Sequence, residues 1–120
     1  MLFGDGFTGN LTSLIDLRDP LKPKLATQFK DMGDYSFPHS YARLDNGNVL
    51  VTLQGMHGKY GAPGGLAELA PDGKVVRTAS AKTTATPDEL VWPYSLGVAK
   101  GKDRAFVTLA EMGWRIASRT

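Results

Sequence analysis

An all-β fold is predicted for this chain of 120 residues by three features of its sequence. Helical periodicity is weak from end to end. Short runs rich in Val, Leu, Thr and aromatic residues recur between clusters of Gly, Pro, Asn and Asp, and a long stretch of the chain repeats itself.

The strands expected first are Thr12 to Leu17 and Lys24 to Phe29. Between them Asp19-Pro20-Leu21-Lys22-Pro23 excludes a continuing helix, because proline fixes φ and lacks the amide hydrogen that a helix needs. Ser40 to Leu44 and Asn48 to Gln54 flank Asp45-Asn46-Gly47, and Gly65 to Leu69 and Lys74 to Ala81 flank Pro71-Asp72-Gly73. Both joins supply residues that tolerate positive φ between two apolar runs, which is the signal of a hairpin. Ser95 to Ala99 and Arg104 to Ala110 complete the series.

The repeat organises these strands. Phe37-Pro38-His39-Ser40 returns 55 residues later as Trp92-Pro93-Tyr94-Ser95. Each is followed by an apolar strand, a polar turn and a second strand, Val49-Leu50-Val51-Thr52-Leu53 matching Ala105-Phe106-Val107-Thr108-Leu109. At a similar shift Leu14-Ile15-Asp16-Leu17 falls on Leu66-Ala67-Glu68-Leu69, and Lys24-Leu25 on Lys74-Val75. A four-stranded unit of about 50 to 55 residues is close to the blade length of kelch-type propellers.

The expected architecture is therefore a partial β-propeller of four-stranded antiparallel blades. The outer half of one blade spans residues 1–36, a complete blade spans 37–90 and the inner half of the next spans 91–120. Cut this way, the chain leaves strand edges open, so it is expected to be a truncated reading frame or to self-associate, or recruit the missing blades, through those edges.

Composition narrows the function classes. Fourteen Lys+Arg against 12 Asp+Glu are scattered, so neither a nucleic-acid footprint nor an acidic tail is formed. The absence of cysteine excludes disulfides, thiolate metal sites and Cys nucleophiles within this sequence. No apolar run reaches the length of a membrane span, and Met1-Leu2-Phe3-Gly4-Asp5-Gly6 lacks the basic and apolar regions of a signal peptide, so no membrane partner and a cytoplasmic location are expected.

His39 begins an innermost strand, and the starts of such strands ring one mouth of a propeller channel. A neutral imidazole there is a metal ligand if partners converge on it, or a structural group bonded to nearby backbone. Its repeat partner Tyr94 is not a usual metal ligand at neutral pH, which favours a structural role for the position. His57 lies in Gln54-Gly55-Met56-His57-Gly58-Lys59-Tyr60-Gly61, read as a loop that reaches over a blade face or the channel mouth. It is either a second metal ligand or an exposed residue of a glycine-rich turn.

Asp88, Glu89 and Glu111 have carboxylates suited to acid/base or ligand roles, without a paired partner in the sequence. Asp16 and Glu68 repeat each other and are expected to face solvent or to cap a contact between blades. Phe37 and Trp92 occupy equivalent positions before proline and are expected to fill the wedge between neighbouring blades. Neither a P-loop nor a GxSxG nucleophile elbow is present.

Pro38-His39-Ser40, Leu44 through Thr52, the Gly55 to Gly65 segment closing on Gly64-Gly65-Leu66-Ala67-Glu68-Leu69, and Trp92-Pro93-Tyr94-Ser95 with Val107-Thr108 resemble the selenium-binding protein/methanethiol oxidase family. The resemblance covers about Pro38 to Leu109. It implies a closed ring of about seven blades in full-length relatives. It also implies a copper site built from histidines near the channel, oxidation of small thiols such as methanethiol, and selenium held by a cysteine. The family's second histidine, three positions after the one that His39 resembles, is replaced here by Ala42, and no cysteine is available for selenium. Two function classes stay open at this point: a segment of a copper-dependent thiol oxidase with His39 and His57 as candidate ligands, and a non-catalytic propeller module, or inactive truncated product, that at most binds a ligand or protein.

Overall fold

The computed structural model describes residues 2–6, 9–84 and 92–110. Asp88, Glu89 and Glu111, together with Trp114-Arg115-Ile116, which reads as the start of a further strand, lie outside the described residues.

Nine strands are described: β1 (Leu2–Gly6), β2 (Leu11–Asp16), β3 (Lys24–Phe29), β4 (Tyr35–Arg43), β5 (Val49–Met56), β6 (Lys59–Leu69), β7 (Val75–Ser80), β8 (Trp92–Ala99) and β9 (Arg104–Ala110). They form three antiparallel meanders in chain order: a first sheet β1-β2-β3, a central sheet β4-β5-β6-β7 and a third sheet β8-β9. The all-β expectation holds. No helix among the described residues is long and apolar enough to cross a membrane.

Turn chemistry sets the hairpins. At β4-β5 the Gly47 amide donates to Leu44 O and the Leu44 amide to Asn48 O. At β6-β7 the Gly73 amide donates to Ala70 O and the Ala70 amide to Lys74 O, so the two turns share one geometry. Gly47 (φ +87°) and Gly73 (φ +89°) both occupy the left-handed position that such three-residue loops require. Asp19 accepts the Lys22 amide through its carbonyl and the Leu21 amide through its side chain, forming the expected proline turn between β2 and β3.

The core lies on the face of the central sheet turned to the first sheet. Val49, Val51 and Leu53 of β5 and Ala67 and Leu69 of β6 alternate inward, and Met32 and Tyr35 from the connection into β4 close over them. Burying each large member of this cluster stabilises the fold by roughly 1.5 to 3 kcal/mol before conformational entropy is counted. The opposite face carries Leu50, Thr52, Leu66 and Glu68, and β8 packs against it.

Leu2–Gly6 pairs with Leu11–Ile15 as the strand that precedes Thr12 to Leu17. Two local expectations change. β4 starts at Tyr35, not Ser40, because Pro38 is accommodated at a register shift between Pro38 and Ser40 and is not a stop signal. The Gly55 to Gly65 stretch is no loop. β5 and β6 continue through it, with Met56 paired to Lys59 and His57 (φ +51°) and Gly58 (φ +73°) forming a two-residue turn.

Candidate functional site

The residues singled out by the repeat gather between the inner strands of the central and third sheets. Pro38 and Pro93 are both fully buried. Each sits at a register shift, Pro38/Ser40 in one hairpin and Pro93/Leu96 in the other. Beyond each shift one serine amide turns onto a threonine hydroxyl of the neighbouring strand. Ser40 N donates to Thr52 Oγ1 at 3.0 Å, and Ser95 N donates to Thr108 Oγ1 at 3.0 Å. The sequence repeat is thus also a repeat of backbone irregularity and of the hydrogen bond that caps it.

The first of these caps also joins the sheets. Thr52 is fully buried and its hydroxyl donates to Tyr94 O at 2.8 Å. His39 Nδ1 lies 3.1 Å from the same carbonyl and 3.1 Å from Ser40 Oγ. A carbonyl only accepts, so in the neutral ring this bond places the hydrogen on Nδ1 and leaves the lone pair on Nε2. The His39 and Tyr94 rings stack at 4.0 Å between centroids with their planes tilted by 34°. The two repeat-equivalent side chains therefore touch each other across the junction of the central and third sheets.

Beside this knot Tyr60 packs edge-on against Phe37, with centroids 5.7 Å apart, and at 5.5 Å against Trp92. Trp92 of the third sheet is buried and meets the central sheet through Tyr60, whereas Phe37 packs on Tyr60 of its own sheet. The Trp92 indole N–H is buried without a hydrogen-bond partner among the described residues. Phe37 has φ +60°, a costly conformation for a bulky residue. Its amide is held by Asn10 Oδ1 at 2.6 Å. Asn10 Nδ2 in turn donates to Asp31 Oδ1, which also accepts from Ser36 Oγ, and Ser36 Oγ accepts the Gly58 amide. This chain of bonds runs from the first sheet to the β5-β6 turn and anchors the strained residue.

His57 is placed by that turn, its amide donating to Asp34 O at 2.8 Å. The turn stands at the Tyr35 end of β4, whereas His39 lies further along β4 against Tyr94, so the two histidines are not presented as one ligand set. Among the described residues no group of three or more His, Cys, Asp or Glu side chains could hold a metal ion.

Further out, the two sheets diverge around a cleft of about 410 Å³, within the size range of small-molecule pockets. Leu50, Leu66 and Val98 line its apolar part, and Glu68, Arg77 and Arg104 its polar part. Glu68 is buried instead of facing solvent, and it caps its own sheet instead of a contact between sheets. Its carboxylate accepts from Asn48 Nδ2 at 2.7 Å, Asn46 Nδ2 at 3.3 Å and Arg77 Nε at 2.6 Å. The Asn48 bond and then Arg77 hold its pKa below the usual 4.5, against the opposing effect of burial. Asp16, its repeat counterpart, pairs with the exposed Arg18.

The sequence signal for Glu68 was present in Asn46 and Asn48, whose turn position brings their amides over β6. Asn10, Asp31 and Ser36 carried no motif, and their network depends on strands far apart in the chain. Compared with protein-family models, with curated proteins and with solved structures, the chain gives no match.

Proposed function

We propose that the three sheets are successive blades of a β-propeller of the selenium-binding protein type, and that this chain acts as a ligand- or protein-binding scaffold without copper oxidase chemistry of its own. The observation that carries the reading is the doubled clasp: Ser40 on Thr52 and Ser95 on Thr108, each beyond a buried proline at the start of an inner hairpin. Such a unit, repeated in the same orientation, stacks as blades do. In this reading His39 is a clasp between blades, its Nδ1 bonded to the Tyr94 carbonyl and its ring on the Tyr94 ring. The cleft between the central and third sheets supplies a recess of ligand size.

Copper titration with metal analysis of the purified protein tests this. The expected result is no stoichiometric copper, for wild type and His39→Ala alike. Stoichiometric copper in the wild type that disappears in His39→Ala overturns the scaffold reading and restores the thiol oxidase one.

A further inference from the structure

We infer that Asn46 is a site of spontaneous covalent modification, deamidating through the turn that joins β4 to β5 at a rate that its hydrogen bond to Glu68 holds down. Asparagine is among the thermolabile side chains. The chain has three, Asn10, Asn46 and Asn48, followed by Leu11, Gly47 and Val49. Cyclisation needs the amide nitrogen of the following residue to reach the side-chain carbonyl carbon. Glycine brings that nitrogen with no side chain in the way and with the widest choice of backbone angles, whereas Leu11 and the buried, stiff Val49 crowd it. Asn46-Gly47 is therefore the reactive pair.

The reaction balances with water alone. Base removes the Gly47 amide hydrogen, and the nitrogen bonds to Asn46 Cγ. The bond from Cγ to Nδ2 then breaks, and the leaving nitrogen takes a proton from water and departs as ammonia. Water opens the cyclic imide in one of two ways. Cleavage of the new bond gives aspartate, and cleavage of the original peptide bond leaves the main chain running through the side chain as isoaspartate. The folded turn opposes the first step. The Gly47 amide donates to Leu44 O at 3.0 Å, which keeps its hydrogen from base. The Asn46 side chain is held at both ends, Oδ1 accepting the Asn48 amide at 2.9 Å and Nδ2 donating to Glu68 Oε1 at 3.3 Å. Attack on Cγ waits for these bonds to open.

The β6-β7 turn separates the two restraints. Gly73 donates to Ala70 O at 2.9 Å and Asp72 Oδ1 accepts the Lys74 amide at 3.1 Å, as Gly47 and Asn46 do in theirs. Asp72 faces Lys74 Nζ at 3.6 Å, where Asn46 faces Glu68. That turn also shows that aspartate is accepted at this position, so the direct product keeps the hairpin. Its carboxylate then stands where Nδ2 stood, beside Glu68 Oε1, and a like charge replaces a donor. Glu68 keeps only Asn48 and Arg77 of its three donors. Deamidation thus loosens the buried carboxylate, and isoaspartate, with its lengthened main chain, does not fit the turn at all.

Peptide-resolved mass spectrometry of the whole chain, aged at mildly alkaline pH, tests the inference, with Asp72→Asn as an internal comparison. In the folded variant, position 46 is expected to convert about two- to tenfold more slowly than position 72, the worth of one hydrogen bond to Glu68. In strong urea both positions should convert at similar rates, faster than in the folded chain. Position 46 converting as fast as position 72 in the folded variant overturns the restraint by Glu68. An amide at position 46 that stays intact in the folded chain, or in urea while position 72 converts, overturns the site itself. Asn46→Asp reproduces the direct product and should unfold at lower urea than wild type at neutral pH, with the gap closing in acid as the two carboxylates take up protons. Equal midpoints at neutral pH would contradict the like-charge contact with Glu68.

Discussion

Replacing Thr52 by valine removes one hydroxyl and keeps the shape of the side chain. In the folded protein that hydroxyl accepts from Ser40 N at 3.0 Å and donates to Tyr94 O at 2.8 Å, at a position with no solvent access. The variant leaves a backbone amide without its acceptor and deprives a carbonyl of a donor. The carbonyl retains His39 Nδ1 at 3.1 Å, so the heavier loss falls on the amide. An orphaned buried donor costs about 1 to 3 kcal/mol and a lost neutral hydrogen bond about 0.5 to 1.5 kcal/mol, which together put Thr52→Val near 2 to 4 kcal/mol. Thr108→Val removes the equivalent hydroxyl at an exposed position, where water replaces it, and is expected to cost less than about 1 kcal/mol. Urea denaturation of the two variants and of Thr52→Ser, which keeps the hydroxyl, measures the contrast. Equal losses at positions 52 and 108, or a Thr52→Ser variant as unstable as Thr52→Val, would refute the assignment of the clasp as a junction between sheets.

Further outcomes follow from single contacts. Removing the Glu68 charge in Glu68→Gln weakens the bond from Arg77 and turns an amide toward the Asn46 and Asn48 donors, for an expected loss of about 2 kcal/mol in chemical denaturation at neutral pH. Because the folded-state pKa of Glu68 lies below its unfolded value, its contribution is complete above pH 4.5 and declines as the pH falls through the lowered value. Acid titration of stability should therefore fall more steeply below pH 4.5 in wild type than in Glu68→Gln. His39→Ala deletes the ring contact and one bond to Tyr94 O, and is expected to lower stability by about 1 to 2 kcal/mol in the same denaturation assay. A Cβ on Gly65 would overlap the Tyr35 ring, so Gly65→Ala should lower the denaturation midpoint by about 1 to 3 kcal/mol of stability.

The strands were legible in the sequence wherever turn residues bounded an apolar run, as at Asp45-Asn46-Gly47 and Pro71-Asp72-Gly73. They were concealed where glycine or proline served another purpose inside a strand. Gly55 and Gly64 resemble loop residues, but a Cβ on either would meet a backbone carbonyl, of Lys59 and of Leu53 respectively, so close strand approach is what requires them. Pro38 resembles a stop and instead occupies a register shift.

For the candidate site, the repeat identified His39 and Tyr94 as equivalent but gave no sign that they touch. Equivalence reports position within a unit, and contact follows only when the stacking direction is known. The carboxylate of Glu68 was legible as a repeated acid, and its burial was not, because the amides that compensate it come from a turn twenty residues earlier.

The stacked repeat is tested most directly by nuclear Overhauser contacts in the labelled whole chain. Blades stacked through the doubled clasp require cross-peaks between the His39 and Tyr94 ring protons, together with cross-strand contacts of Ser40 with Thr52 and of Ser95 with Thr108. Strand contacts within both hairpins but none between the His39 and Tyr94 rings would contradict the stacking, and helical contacts in either segment would contradict the repeat itself.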